Sequence, residues 1–240
     1  FSREDAIALL TDGTMIPHAP LSAQLRRAWE THGDSYPARE KIAADVERIL
    51  SWDGAPNLKS GTPTIFLLWL YVLNGEHASL EVDLLERDPE RLTSDDALAM
   101  FDALKEARKR LKKLFPFPPQ IPWALIHVLR KAGRVFPLET GMYPAISLMN
   151  ANLDLLNPDL FKLTCRIGSA YVALHELSDP PMSWSVTPIG QTDRTELPYV
   201  FACTELFAKR QLKPLPITDE QLAAVDTTEL LLEFDLPVSD

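Results

Sequence analysis

Thr62-Pro-Thr-Ile-Phe-Leu-Leu-Trp-Leu-Tyr-Val-Leu-Asn-Gly75 is the stretch whose reading decides the fold. Thr62 and Pro63 read as a cap and a first helical turn, because proline lacks the N–H that a first turn leaves unpaired anyway. Gly75 reads as the stop. Between them Ile65 to Leu73 carries no charge. A helix that is apolar on every face belongs in the middle of a fold, covered on all sides. The run is also far too short for a membrane span, which needs ~20 residues.

The segments around this run read as more helices. Leu and Ala together number 62, against 21 Val and Ile. Leu and Ala favour helix, whereas β-branched residues favour strand. The 20 prolines outnumber the 9 glycines, and many prolines sit where helices begin. Ser2-Arg3-Glu4-Asp5 is a capping-box pattern that opens a short helix to Leu10. Further helices are expected over about 21–32, 38–51, 62–75 and 79–87. The longest is expected over about 94–115, capped by Thr93 and striped by Ala97, Met100/Phe101, Leu104, Ala107, Leu111 and Leu114, a spacing of three and four that buries one face. Others follow over about 123–132 (closed by Gly133), 144–156, 158–177 and 198–211, and Thr218-x-x-Gln221 caps a last segment.

The expected fold class is therefore all-α. About ten helices form one compact domain over 1–240, or two packed halves of about 1–116 and 117–240. Helical periodicity vanishes only from about 179 to 197. That long irregular loop has room for a small hairpin, because Ser183-Trp-Ser-Val-Thr alternates. The tail 235–240 is expected to fray.

Composition limits the partners. Formal net charge is −10 and the pI is about 5.0, so phosphate backbones are repelled and general nucleic-acid binding is disfavoured. A basic protein partner would be attracted. Cys165 and Cys203 form no CxxC pair and no metal spacing, which suits two free thiols in a reducing cytoplasm. The chain begins at Phe1 with no basic stretch leading into an apolar one, so no signal peptide is expected. A targeting segment removed ahead of Phe1 stays open.

No phosphate-binding, dinucleotide, nucleophile-elbow or zinc-protease motif is present. Neighbouring residues supply no metal site. The densest polar group on an apolar segment is His175-Glu176, with Asp179 beyond it and Tyr171 one helical turn before it. A carboxylate beside an imidazole can orient it as a general base, so His175, Glu176 and Tyr171 are the candidate catalytic residues. The competing reading is a histidine stabilised by a helix C-terminus. His127, within Trp123-Ala-Leu-Ile-His-Val-Leu-Arg-Lys, is the candidate cofactor ligand, a buried histidine that needs a partner. Trp184 and Arg194 in the loop are the candidate partner contacts, since Trp and Arg dominate binding hot spots. Six cations between Lys105 and Lys113 read as a solvated helix end.

Two functions compete on these readings. The favoured one is a protein–protein interaction role, as adaptor, regulatory subunit or immunity-type inhibitor of a basic partner. The alternative is an all-α enzyme, or a ligand, haem or metal carrier, with a pocket between helices near His175 or His127. No cofactor can be named from the sequence, and no family is recognised.

Overall fold

The apolar run forms the middle of α4, Thr62–Glu86, in the computed structural model of the chain. The structure describes residues 2–116, 120–141, 151–153, 165–168, 170–190, 194–197 and 199–225; of these, 11, 76–83, 151–153 and 165–168 are described by backbone alone. Ile65 to Trp69, Val72 and Leu73 are all buried. Around α4 lie α2 (His18–His32), α3 (Arg39–Ser51), α5 (Ser94–Leu114) and the short α6 (Trp123–Ile126), while α1 (Arg3–Thr11) packs toward the strands that follow. The helix does not stop at Gly75. A glycine inside a helix costs only ~1 kcal/mol relative to alanine, and the second part is anchored by Leu84, which is fully buried. The separate helix expected from 79 is therefore a continuation of α4.

Polar ties fix the helices around this run. Trp69 Nε1 donates to the Met100 carbonyl on α5 at 3.0 Å. Thr64 Oγ1 donates to the Ile121 carbonyl at 2.8 Å. Gln24 Nε2 on α2 donates to the Leu84 carbonyl at 3.1 Å. Tyr36 donates its hydroxyl proton to Asp102 at 2.8 Å, and burial together with that carboxylate pushes the phenol pKa well up. Asp45 of α3 is buried and pairs with Arg48 on its own helix and Arg108 on α5. The helix starts follow their caps. Ser2 with Asp5 and Thr93 with Asp96 form reciprocal capping boxes. The α5 stripe is buried from Ala97 to Leu111, with Leu114 half-buried.

The second half of the chain overturns the all-α expectation. After α6 come β1 (Val128–Lys131) and β2 (Arg134–Pro137), an antiparallel hairpin pairing Lys131 with Arg134. β3 (Ala151–Leu153) pairs with β4 (Cys165–Gly168). β5 (Val172–Glu176), β6 (Met182–Val186) and β7 (Lys213–Pro214) form a three-stranded antiparallel sheet. Among the described residues two helices follow in this half, α7 (Ala202–Ala208) and α8 (Asp219–Ala223), the latter capped by Thr218. The helix expected over 123–132 thus ends at Ile126. Gly133 is no helix stop, because Ala132 and Gly133 both take positive φ, 44° and 78°, as a two-residue hairpin turn of the I′ class requires. The helices expected over 144–156 and 158–177 give way to strands at 151–153, 165–168 and 172–176; apart from 170, 171 and 177, which are not helical, the rest of their span lies outside the described residues, as does the tail 235–240. Within 179–197, β6 supplies the strand of the hairpin that the alternation suggested.

Among the described residues two apolar clusters result. The larger lies among α2–α6, and the smaller joins Leu129, Phe136, Val172, Val186 and Phe207 with Leu10 of α1. Chain order is therefore not core order: α1 belongs to the sheet side, and Trp123 and Ile126 to the helical side. Among the described residues no helix is long and apolar enough to cross a membrane.

His18 sits inside the larger core, edge-on to Trp52 at 4.7 Å and Phe66 at 5.4 Å. Its Nε2–H donates to the Ile49 carbonyl at 3.2 Å. Gly54, at φ +86°, passes so close that a Cβ there would lie 2.9 Å from His18 Nδ1. Burial lowers the His18 pKa below the usual 6.5, against smaller opposing contributions from the Ile49 carbonyl and the Asp53 charge.

Two outcomes are expected. Trp69→Ala should cost about 3–5 kcal/mol of unfolding free energy, whereas Leu125→Ala at an exposed position should cost under ~0.5 kcal/mol; urea titrations with equal midpoints would contradict this core assignment. Below pH 6.5 the unfolded chain binds a proton at His18 that the folded chain resists. The stability advantage of the wild type over His18→Gln should therefore be full above pH 6.5 and shrink as the pH falls below it, measured by denaturation at a series of pH values. A difference independent of pH would contradict a buried neutral His18.

Candidate functional site

The polar groups singled out from the sequence lie on the strand-bearing half. Pro122 opens α6, and the Trp123 and Ala124 amides donate to the Ser60 and Leu58 carbonyls at 2.9 and 3.0 Å. That docks α6 against the loop before α4. Trp123 is fully buried, and its indole N–H donates to the Thr140 carbonyl at 3.2 Å. His127 follows directly, fully buried, its ring 4.9 Å from the Trp123 ring. Its Nδ1 lies 3.2 Å from the Leu138 carbonyl, and its own backbone carbonyl accepts from the Leu138 amide at 2.9 Å. A proton on Nδ1 satisfies that carbonyl and leaves Nε2 as the acceptor. The expected helical setting of His127 is corrected: it joins a short helix to a hairpin.

His175, Glu176 and Tyr171 are likewise not on a helix. His175 and Glu176 belong to β5, and Tyr171 precedes it, exposed. Side chains alternate along a strand, so His175 and Glu176 point to opposite faces. Tyr171 is four strand residues from His175, ~13 Å at 3.3 Å per residue, instead of one helical turn away. The strand provides a partner that sequence reasoning missed. His175 lies directly opposite Ser183 of β6, and its Nδ1 is 2.7 Å from Ser183 Oγ. Ser183 is buried while His175 is exposed. The alternation of 183–187 signalled a strand, but no local pattern says which strand it pairs with.

Such a pair can hold or move one proton between imidazole and hydroxyl. Glu176 faces Met182 in the register and does not share the His175 face. Asp179 lies in the turn joining the two strands, at a cis Asp179–Pro180 bond. Trp184 is half-buried beneath the Arg3 guanidinium, 5.1 Å from its ring centre. Arg194 pairs with Glu196 at 2.6 Å, both exposed. The structure thus gathers His175 and Ser183, leaves Trp184 covered by α1, and keeps His127 in a separate buried setting. Among the described residues no three His, Cys, Asp or Glu side chains could hold a metal ion together.

Another buried cation escaped the sequence reading. Lys131, at the end of β1, is buried and donates from Nζ to the Ile189 carbonyl in the turn after β6. It ties the β1–β2 hairpin to that turn. Gly190 leaves room for it: at φ +81° it would place a Cβ 2.5 Å from the Lys131 nitrogen.

Comparison with known proteins gives these elements a context. A thermostable penicillin G acylase from Alcaligenes faecalis is similar at 13% identity and a TM-score of 0.49, over 99% of this chain and 50% of that one. The chain accordingly spans half the length of that acylase. No curated protein matches. The penicillin amidase family model matches residues 1–224. This overturns the interaction role as adaptor, regulatory subunit or inhibitor: on nearly its whole length, this chain belongs to the penicillin amidase family.

Proposed function

We propose that this chain is part of an amidase, which hydrolyses an N-acyl amide to a carboxylic acid and an amine. The observation that carries the reading is the family match over residues 1–224. The name of the matching family makes a penicillin the first substrate to try. In the reaction the oxygen of water joins the acyl carbon, the C–N bond breaks, and the departing nitrogen takes up a proton. Effective acid–base groups in such steps contribute ~10²–10⁴-fold.

His175 is the residue offered for that proton. Ser183, 2.7 Å away, orients its ring, while Glu176 and Tyr171 flank it in the sequence as secondary candidates. This assignment replaces the helical geometry with a cross-strand pair. The proposed location is the cytoplasm, supported by Cys203, which is buried and free.

The test uses the natural protein that carries this chain. Incubation with penicillin G and a series of other N-acyl amides should release primary amine and carboxylic acid in equal amounts. His175→Gln should lower kcat by ~100-fold or more if the imidazole carries the proton. A loss below ~3-fold would remove His175 from the chemistry and leave it a hairpin residue. A folded protein that releases no amine from any member of the series would overturn the amidase reading.

A further inference from the structure

The three-stranded sheet has two unlike faces. Val172 and Val186 belong to the smaller apolar cluster, and Leu174 and Leu212 pack against it. Side chains alternate along a strand, so Ala173, His175, Ser183, Ser185 and Lys213 lie on the opposite face. His175 of β5 stands opposite Ser183 of β6, and Ser185 stands opposite Lys213 of β7. The two serines are buried, while His175 and Lys213 beside them are exposed. Two small hydroxyl side chains on the middle strand thus lie between longer, exposed ones on the outer strands. Among the described residues no carboxylate pairs with Lys213.

These features select a substrate. The His175 imidazole at one end serves the departing nitrogen, and the Lys213 ammonium at the other is an unbalanced cation on a chain of net charge −10. Neighbouring strands lie ~4.8 Å apart, and residues two apart on one strand ~6.6 Å, so one small molecule spans both groups. The flexible four-carbon lysine stem adapts to what it binds. The group that suits a lone ammonium beside an amide-cleaving imidazole is a carboxylate on the same substrate, to which the Ser185 hydroxyl can also donate.

We propose that Lys213 is a specificity-determining residue, and that the amides cleaved at this site carry a carboxylate on the amine side, as an N-acyl amino acid does. The acyl carbon lies at His175 and Ser183, and the carboxylate lies on Lys213 and Ser185. Water oxygen joins the acyl carbon, the C–N bond breaks, and the amino acid leaves with a proton on its nitrogen. The proposal names the substrate class of the His175 site and rests on the amidase reading for its reaction.

The test uses the natural protein that carries this chain and separates binding from cleavage. Hippurate (N-benzoylglycine) and its neutral amide, N-benzoylglycinamide, differ only in the carboxylate. Binding is followed by the ring proton resonances of His175, assigned with His175→Gln, and cleavage by release of glycine or glycinamide. Hippurate should give a saturable shift, and the neutral amide should bind about fivefold more weakly, the size of an exposed charge contact. Lys213→Gln should abolish that preference and Lys213→Arg should keep it, with the thermal midpoint unmoved in both. No saturable shift with hippurate at ~10 mM, equal binding of the two ligands, or a preference that survives Lys213→Gln would overturn the proposal. Selective hippurate binding without cleavage of any N-acyl amide would remove the amidase reading and leave the carboxylate site in place. Cleavage indifferent to the carboxylate and to Lys213 would do the reverse.

Discussion

Ile65 to Leu73 must be kept from water on nearly every side, and that need organises the larger core. Fully burying one large apolar side chain is worth roughly 1.5–3 kcal/mol, and seven residues of this run are buried. No single partner helix can cover a cylinder. The run is therefore enclosed by α2, α3, α5 and α6, each offering an apolar face. The aromatic side chains meet edge to face, with Phe66 5.4 Å from Trp52 and 5.9 Å from Trp69.

Apolar contact alone does not fix direction or register. The polar ties do. Trp69, Thr64 and Gln24 each reach a specific backbone carbonyl on another segment. Asp45 is the most demanding of these groups, because a buried carboxylate needs its partners. Its pairing with Arg48 and Arg108 locks α3 to α5. Removing both arginines would leave an uncompensated charge inside the bundle. The same ties connect the bundle to the strand-bearing half: α6 hangs from the Ser60 and Leu58 carbonyls, and the chain leaves it through His127 into the first hairpin. The candidate site in the β5–β6 hairpin is thus reached through elements whose own cluster includes α1.

The sequence was informative where local chemistry is self-sufficient. The capping boxes at Ser2 and Thr93 and the stripe of α5 could be read directly, because their partners lie within one helical turn. It failed where the deciding contact is distant. Gly75 resembles a stop, yet buried Leu84 holds the helix beyond it. Trp123 to Lys131 is apolar enough for a helix, but short apolar runs do not separate helix from strand. The pairing of Leu129 with Phe136 across a positive-φ turn decides it. His175 was singled out on a helix that does not form, and its real neighbour, Ser183, comes from strand register. The family was invisible for a related reason. None of the short motifs searched for belongs to it, and its model matches residues 1–224.

Amide hydrogen exchange, residue by residue, tests the central claim most directly. If burial of α4 organises the bundle, the amides of Phe66 to Leu73 exchange only through global opening, together with those of Phe101 and Leu104. The Leu129 and Phe136 pair should show cross-strand contacts in the same spectra. Rapid exchange across Phe66 to Leu73, or helical shifts from 128 to 137, would contradict the account.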